Sequence, residues 1–235
     1  MMIVSKPYFE IRDGSDFEKE YETLLSIIKG AREETGVRIF IGLGVHPSRI
    51  SDFKILEEAK IAMKKGIDIA AEYVTERKAD AIGEVGRPHY PVDEETWEAS
   101  NEIMEYAMMK AKEADCAVVI HSESSESTFK EISEIAGKVG IERRRVVKHF
   151  SPITKNTFGL TPSIIGSYKN AKEAFKSMED FMLESDYIDD PDRPGVVISP
   201  KTLPRTVKRL MNEENVDVYR VMKDLPEKVY GIEIE

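Results

Sequence analysis

Five residues that could bind a divalent metal or move a proton each end an apolar, strand-like segment of the chain. The segments span residues 39–46, 81–84, 117–121, 146–149 and 181–186, and their last residues are His46, Glu84, His121, His149 and Asp186. Imidazole and carboxylate groups suit zinc, manganese and similar ions. A bound cation lowers the pKa of its water, and a carboxylate beside that water can accept the proton. The five residues therefore predict a divalent-metal hydrolase site.

The spacing of these segments predicts how the five side chains come together. Each segment is separated from the next by enough residues for one helix and its loops, which is typical of βα units around a parallel sheet. The carboxyl ends of the strands form the ligand-binding face of such sheets. Three of the chain's four histidines would therefore lie on one rim beside two carboxylates. Strands centred near residues 3, 41, 82, 119, 147, 165 and 183 make seven, whereas a closed (β/α)8 barrel has eight.

Composition narrows the class of protein. The 235 residues suit one α/β domain over 1–235, and the net charge of −10 opposes non-specific binding of duplex nucleic acid through a basic surface. A local basic rim or bound cations could still admit a phosphate ester.

Cys116 is the single cysteine, which excludes an intrachain disulfide. We find no membrane-length apolar run and no signal peptide, so we expect a cytoplasmic protein without membrane partners.

Five short motifs give the chain a family resemblance. In order and spacing it resembles the TatD-like metal-dependent hydrolases, through residues Gly44–Pro47, Ile82–Gly86, Val119–His121, Lys148–Ser151 and Leu183–Tyr187. The resemblance covers nearly the whole chain from about Ile39 onward. It implies an amidohydrolase-type (β/α)8 barrel that cleaves phosphodiester bonds, with deoxyribonuclease activity in several members, and one or two divalent ions such as zinc, manganese or magnesium.

The resemblance also implies roles for individual residues. It makes Glu84 a ligand shared by two metals, and His121 and His149 ligands to one of them. Asp186 is expected to bind metal and orient the attacking water, so that Glu84 and Asp186 are the catalytic pair. His46 is expected to contact the substrate or its phosphate.

The chain departs from the family pattern at its start. The family opens with a strand ending in His-x-His, and no such pair occurs here. Either the first βα unit is lost or left out of this chain, or another segment replaces it. A barrel without that unit would have an open edge, which a second copy of the chain could cover.

Two further departures concern the substrate. Where relatives read Gly-Leu-Asp, this chain has Gly86-Arg87-Pro88-His89, so Arg87 or His89 could bind substrate or serve only structural needs. Relatives often have an arginine two residues after the histidine that corresponds to His121, and here that residue is Glu123. A carboxylate would repel a phosphate.

We therefore keep two alternatives to a phosphodiesterase. One is an amidohydrolase-type lactonase or amidase with similar metal ligands. The other is a degenerate barrel without catalysis that acts as a binding subunit.

Overall fold

The fold of the protein is α/β, as predicted, and the described residues contain seven parallel strands in sequential order. The computed structural model describes residues 2–3, 10–188, 197–214 and 216–234, with the backbone alone for 2–3. Every neighbouring pair of strands in the order β1 to β7 is parallel, which is the arrangement of a (β/α) barrel. The strands are β1 (Met2–Ile3), β2 (Ile41–Leu43), β3 (Ala81–Gly86), β4 (Ala117–His121), β5 (Val146–Lys148), β6 (Thr161–Ile165) and β7 (Met182–Glu184).

Helices connect most of these strands. The α-helices in the described parts of the chain are α1 (Asp16–Thr35), α2 (Leu56–Thr75), α3 (Glu94–Glu113), α4 (Glu126–Val139), α5 (Tyr168–Ser177), α6 (Thr202–Glu213) and α7 (Leu225–Tyr230). A short 3-10 helix, Pro47–Asp52, follows β2, and a π-helical turn, Arg220–Asp224, runs into α7. None of the described helices combines the length and apolar character needed to cross a bilayer.

Alternating residues give the sheet two apolar faces. On one face, β3 and β4 contribute Ile82, Val118 and Ile120 to the large core that packs against α1 to α4. Their neighbours in sequence point the other way, because side chains alternate along a strand. On that second face a smaller cluster packs against α7, and it comprises Ala81, Ala117, Val119, Val147, Met182, Leu225 and Val229.

Two local expectations from the sequence are corrected. Gly66 suggests a break in the helical run from residue 51 to 78, but α2 continues through it. A Cβ at this position would lie 2.5 Å from the Phe17 ring, so the glycine allows α1 to pack closely. Residues 156–160 read as a short helix and instead form a turn.

Candidate metal centre

The five predicted residues all lie at or near the carboxyl ends of their strands. His121 is the last residue of β4, Glu84 lies two residues before the end of β3, and His46, His149 and Asp186 follow the ends of β2, β5 and β7. The register between β3 and β4 shifts between Ile82 and Val85, so the backbone is irregular where Glu84 stands. Such irregularities re-aim a side chain. The structure therefore brings the predicted set together, from four consecutive strands and β7.

Three of these side chains form a compact donor group, which we call the first group: His46, Glu84 and His121. Nε2 of His46 lies 3.3 Å from Nδ1 of His121. Oε2 of Glu84 lies 3.3 Å from the same His121 nitrogen and 3.7 Å from His46 Nε2. Ligands bound to one ion at about 2.0–2.2 Å in a tetrahedral site stand roughly 3.3–3.6 Å apart. The spacing of the three donor atoms fits a single divalent ion.

Glu84 also belongs to a second donor group, with His149 and Asp186. Oε1 of Glu84 lies 3.7 Å from His149 Nε2, and Oδ1 of Asp186 lies 3.9 Å from His149 Nδ1. All ligand atoms of each group lie within 4.8 Å of one another. The two oxygens of one carboxylate thus face two different groups, which suits a ligand shared by two ions.

Neighbouring residues fix the orientation of the rings. Nδ1 of His46 lies 2.8 Å from the Ser48 hydroxyl. Nδ1 of His149 lies 3.3 Å from a Glu184 carboxylate oxygen, and that oxygen also accepts the Phe150 backbone N–H at 2.7 Å. Partners of this kind hold metal-binding imidazoles in place. The Ser122 hydroxyl is buried and has no hydrogen-bond partner within the described residues, so no imidazole there activates it as a nucleophile.

Burial and mutual charge set the ionisation of the cluster. Burial and the nearby His121 lower the pKa of His46 to about 3, and burial lowers the pKa of His121 as well, so both rings are neutral. Burial raises the pKa of Glu84, but His149 and His121 lower it more, to about 2. Neutral imidazoles beside an ionised carboxylate are the protonation states that bind divalent ions.

The two remaining groups, His149 and Asp186, both have raised pKa values. Burial lowers the pKa of His149, but Glu84 and Glu184 outweigh this effect and raise it to about 9. Burial also raises the pKa of Asp186 to about 6, although His149 opposes the shift. A carboxylate of that basicity is well suited to accept a proton near neutral pH.

The Arg87 guanidinium is engaged in hydrogen bonds to neighbouring side chains. It is 2% exposed, and its guanidinium donates to Glu123 at 2.8 Å, to Glu131 at 2.7 Å and to Asn101 at 3.1 Å. It also lies 4.1 Å from the centre of the Trp97 ring. These contacts favour the structural reading of Arg87 over a substrate contact. They also give Glu123 a cationic partner.

His89 lies beside the donor groups. It is exposed, and its Nδ1 lies 2.8 Å from Nε2 of His121. The loop after β3 therefore adds a fourth imidazole to the cluster.

Sequence reasoning missed two residues of the site and one property of a third. The sequence does not predict the contact of Glu184 with His149, and the one signal for it is that Glu184 stands two residues before Asp186. Lys148 is fully buried, and its ammonium group donates to the carbonyls of Ser122 and His149, tying β4 to β5. His46 was expected to contact substrate, and the structure puts its Nε2 within the first donor group.

Comparison with known proteins assigns the chain to a family. The model of the TatD-related DNase family matches residues 12–231. The chain belongs to this family. Membership of this family makes hydrolysis the class of activity to test. The family match does not assign roles to individual residues.

Two similar proteins extend the comparison. An uncharacterized protein of Methanocaldococcus jannaschii, MJ1127, is 39% identical over 246 residues, which cover the whole of this chain and 86% of the relative. The crystal structure of YjjV, a TatD homologue from Escherichia coli K12, matches with a TM-score of 0.62 and 16% identity. That match covers 98% of this chain and 86% of YjjV. At this identity the likeness supports the barrel fold, which confirms the predicted fold class.

Proposed function

We propose that this TatD-family protein is a divalent-metal-dependent hydrolase that cleaves phosphodiester or phosphate ester bonds, with nucleic acid or a nucleic-acid fragment as substrate. The observation that carries the proposal is the spacing of the first donor group. Three donor atoms from β2, β3 and β4 stand 3.3, 3.3 and 3.7 Å apart, as ligands of one ion would.

The donor set also fits the chemistry. When bound, one or two divalent ions would polarise a phosphoryl oxygen and make water a stronger nucleophile. His46, Glu84 and His121 would hold one ion, and Glu84, His149 and Asp186 a second. Glu84 is the residue that both groups share, so it is the residue on which the activity depends most.

Side chains of the protein accept the proton, orient a ligand and contact the substrate. Asp186 is the proton acceptor for the attacking water, because its pKa lies near 6 and its side chain is 22% exposed. Glu184 positions His149 through the contact with Nδ1. Three exposed aromatic residues each directly follow a residue of the cluster in sequence, and they could contact the organic part of a substrate: Tyr90, Phe150 and Tyr187.

Charge near the site bears on the choice between a phosphodiester and a lactone. Glu123 alone would repel a phosphate, but its carboxylate is bonded to the buried Arg87 guanidinium. Pairing offsets much of that repulsion. Glu123 therefore weighs less against a phosphate substrate than the sequence alone indicates.

The test is a parallel assay on protein reconstituted with Zn²⁺ or Mn²⁺. We expect hydrolysis of bis(4-nitrophenyl) phosphate and of a single-stranded oligonucleotide, loss of both activities with excess chelator, and recovery when metal is restored. A lactone panel is run on the same preparations.

Each contrary outcome has a distinct meaning. Turnover that persists in excess chelator would refute metal dependence. Lactone turnover without phosphodiester turnover would move the protein to the amidohydrolase-type alternative. A preparation free of tightly bound metal, with no hydrolysis of any substrate, would favour the binding-subunit alternative.

A further inference from the structure

The loop after β3 holds His121 at two points. The Arg87 backbone N–H donates to the His121 carbonyl at 3.0 Å, and the His89 ring nitrogen Nδ1 lies 2.8 Å from His121 Nε2. The two ring centres are 5.0 Å apart. Arg87 and Pro88 are both buried just before His89, so this loop is anchored immediately next to the contact. The loop that carries His89 therefore contacts both the backbone and the ring of His121.

The two nitrogens of His121 face different surroundings. Nδ1 points toward the donor atoms, since it lies 3.3 Å from Glu84 Oε2, 3.1 Å from His149 Nε2 and 3.3 Å from His46 Nε2. Nε2 points away from them, toward His89. If His121 binds an ion, the nitrogen that does so is Nδ1, because the other nitrogen has no second donor group around it in the described residues.

A metal-binding nitrogen carries no proton, so the proton of the neutral ring must then be on Nε2. That N–H is the group that meets His89 Nδ1 at hydrogen-bond distance. His89 Nδ1 must accept it, which places the proton of the His89 ring on its own Nε2, on the exposed side of the loop.

We propose that His89 is a positioning residue for the metal centre: its Nδ1 accepts a hydrogen bond from His121 Nε2–H and so holds His121 with Nδ1 presented to the ion. This inference rests on the proposed function, because it takes His121 as a metal ligand. Acceptors that bind the outer N–H of a metal-bound imidazole fix the ring and strengthen binding. Here the acceptor is another imidazole.

The test compares two substitutions that differ in one property. In His89→Asn the amide oxygen can occupy the place of the ring Nδ1 and accept the same hydrogen bond, whereas His89→Leu keeps a similar volume without an acceptor. We expect His89→Leu to weaken Zn²⁺ binding by about 10-fold to 100-fold, and His89→Asn to recover most of that loss. Zn²⁺ dissociation constants are measured by competition with a chromophoric chelator, and thermal unfolding checks that each variant is folded.

A second readout reports the proton directly. In Zn²⁺-loaded protein labelled with ¹⁵N-histidine, long-range proton–nitrogen spectra should place a proton on Nε2 of His121 and none on Nδ1. In His89→Leu that Nε2 signal should shift, while the signals of His46 stay near their wild-type positions.

Two results would overturn the inference while leaving the proposed function intact. One is equal Zn²⁺ affinity in wild type, His89→Leu and His89→Asn. The other is a proton on Nδ1 of His121 in the Zn²⁺-loaded wild type. A wild-type protein that binds no Zn²⁺ would overturn both proposals together.

Discussion

The two donor groups share Glu84 but are built on different parts of the molecule. The first group stands on β2, β3 and β4, which contribute residues of one face to the large core, and its side chains are 12–15% exposed. The second group depends on β7, a three-residue strand with two half-buried residues, which packs in smaller clusters. Asp186 follows that strand with a φ of 47° and a side chain that is 22% exposed.

This contrast indicates how the two groups divide the task. The donor atoms of the first group already stand about as far apart as the ligands of one ion would. The side chains therefore need little rearrangement to bind an ion. In the second group Glu84 Oε1 and His149 Nε2 stand 3.7 Å apart, Asp186 lies 3.9 Å from the other His149 nitrogen, Nδ1, and the proton acceptor is more accessible to solvent. We expect the first group to hold the tighter ion and the second to carry the chemistry. The substitutions below test that division, from the largest expected effect to the smallest.

Glu84→Gln should have the largest effect, because it removes the carboxylate that both groups share. A loss of several kcal/mol of transition-state stabilisation corresponds to about a 10³-fold fall in kcat/KM. Steady-state kinetics on bis(4-nitrophenyl) phosphate, with metal content determined on the same sample, would measure it. Retention of wild-type activity would contradict the shared-ligand assignment.

Asp186→Asn and His46→Asn should separate the two groups. Asparagine tolerates the left-handed backbone at position 186, so the first substitution mainly removes the proton acceptor. We expect kcat to fall by about 10²-fold or more while the tight ion stays bound. His46→Asn should instead weaken the tight ion. Metal titrations of the two variants check this, and the same loss of tight binding in both would contradict the division.

Gly86→Ala should act through the backbone that carries His121. The residue has a φ of 137°, and an added Cβ would overlap the His121 carbonyl oxygen. We expect a cost of about 1–3 kcal/mol in the free energy of unfolding, together with weaker metal binding.

Gly30→Ala is the matched control for this substitution. Gly30 lies within α1, and nothing would stand within 4 Å of an added Cβ there. The same change should stabilise the protein by about 0.5–1 kcal/mol. Urea unfolding of both variants measures the difference, and equal stabilities would show that position 86 tolerates a side chain.

Glu102→Gln should have the smallest effect. The Glu102 side chain is 47% exposed on α3, where it pairs with Lys60 and Lys64, away from both donor groups. Exposed ion pairs of this kind contribute less than about 1 kcal/mol. We expect unchanged metal content and a small change in the urea midpoint. A large loss of metal would mean that variants lose metal through general destabilisation.

Much of the fold could be predicted from the sequence, because apolar runs with regular spacing specify strands in a βα series. All seven strands lie where the spacing placed them. Local geometry was harder to predict. The helix break predicted at Gly66 was wrong, because this glycine makes room for the Phe17 ring and does not interrupt the helix. The sequence also predicts a helical segment over 216–222, whereas the structure has the π-helical turn Arg220–Asp224 followed by α7, and α7 packs Leu225 and Val229 against the sheet.

The candidate site was predictable as a set of residues but not as an arrangement of atoms. Strand ends indicated which side chains share the rim. They could not indicate that His46 turns Nε2 toward Glu84, or that Glu184 and His89 contact the outer nitrogens of His149 and His121. Ring orientation depends on partners from distant loops, and spacing along one strand carries no information about them. Asp189, Asp190 and Asp192 follow Asp186 closely in sequence, where they could add metal ligands, although the sequence favours a solubilising loop; these three residues lie outside the part of the chain that the structure describes.

Metal content tests the central claim most directly. Wild type and the double variant Glu84→Ala, Asp186→Ala are purified without added metal or chelator, reconstituted with zinc or manganese, desalted and analysed for bound metal. If two donor groups share Glu84, wild type should retain at least one equivalent of metal per chain and the double variant should retain none. Equal metal in both proteins, or none in wild type after reconstitution, would contradict the account.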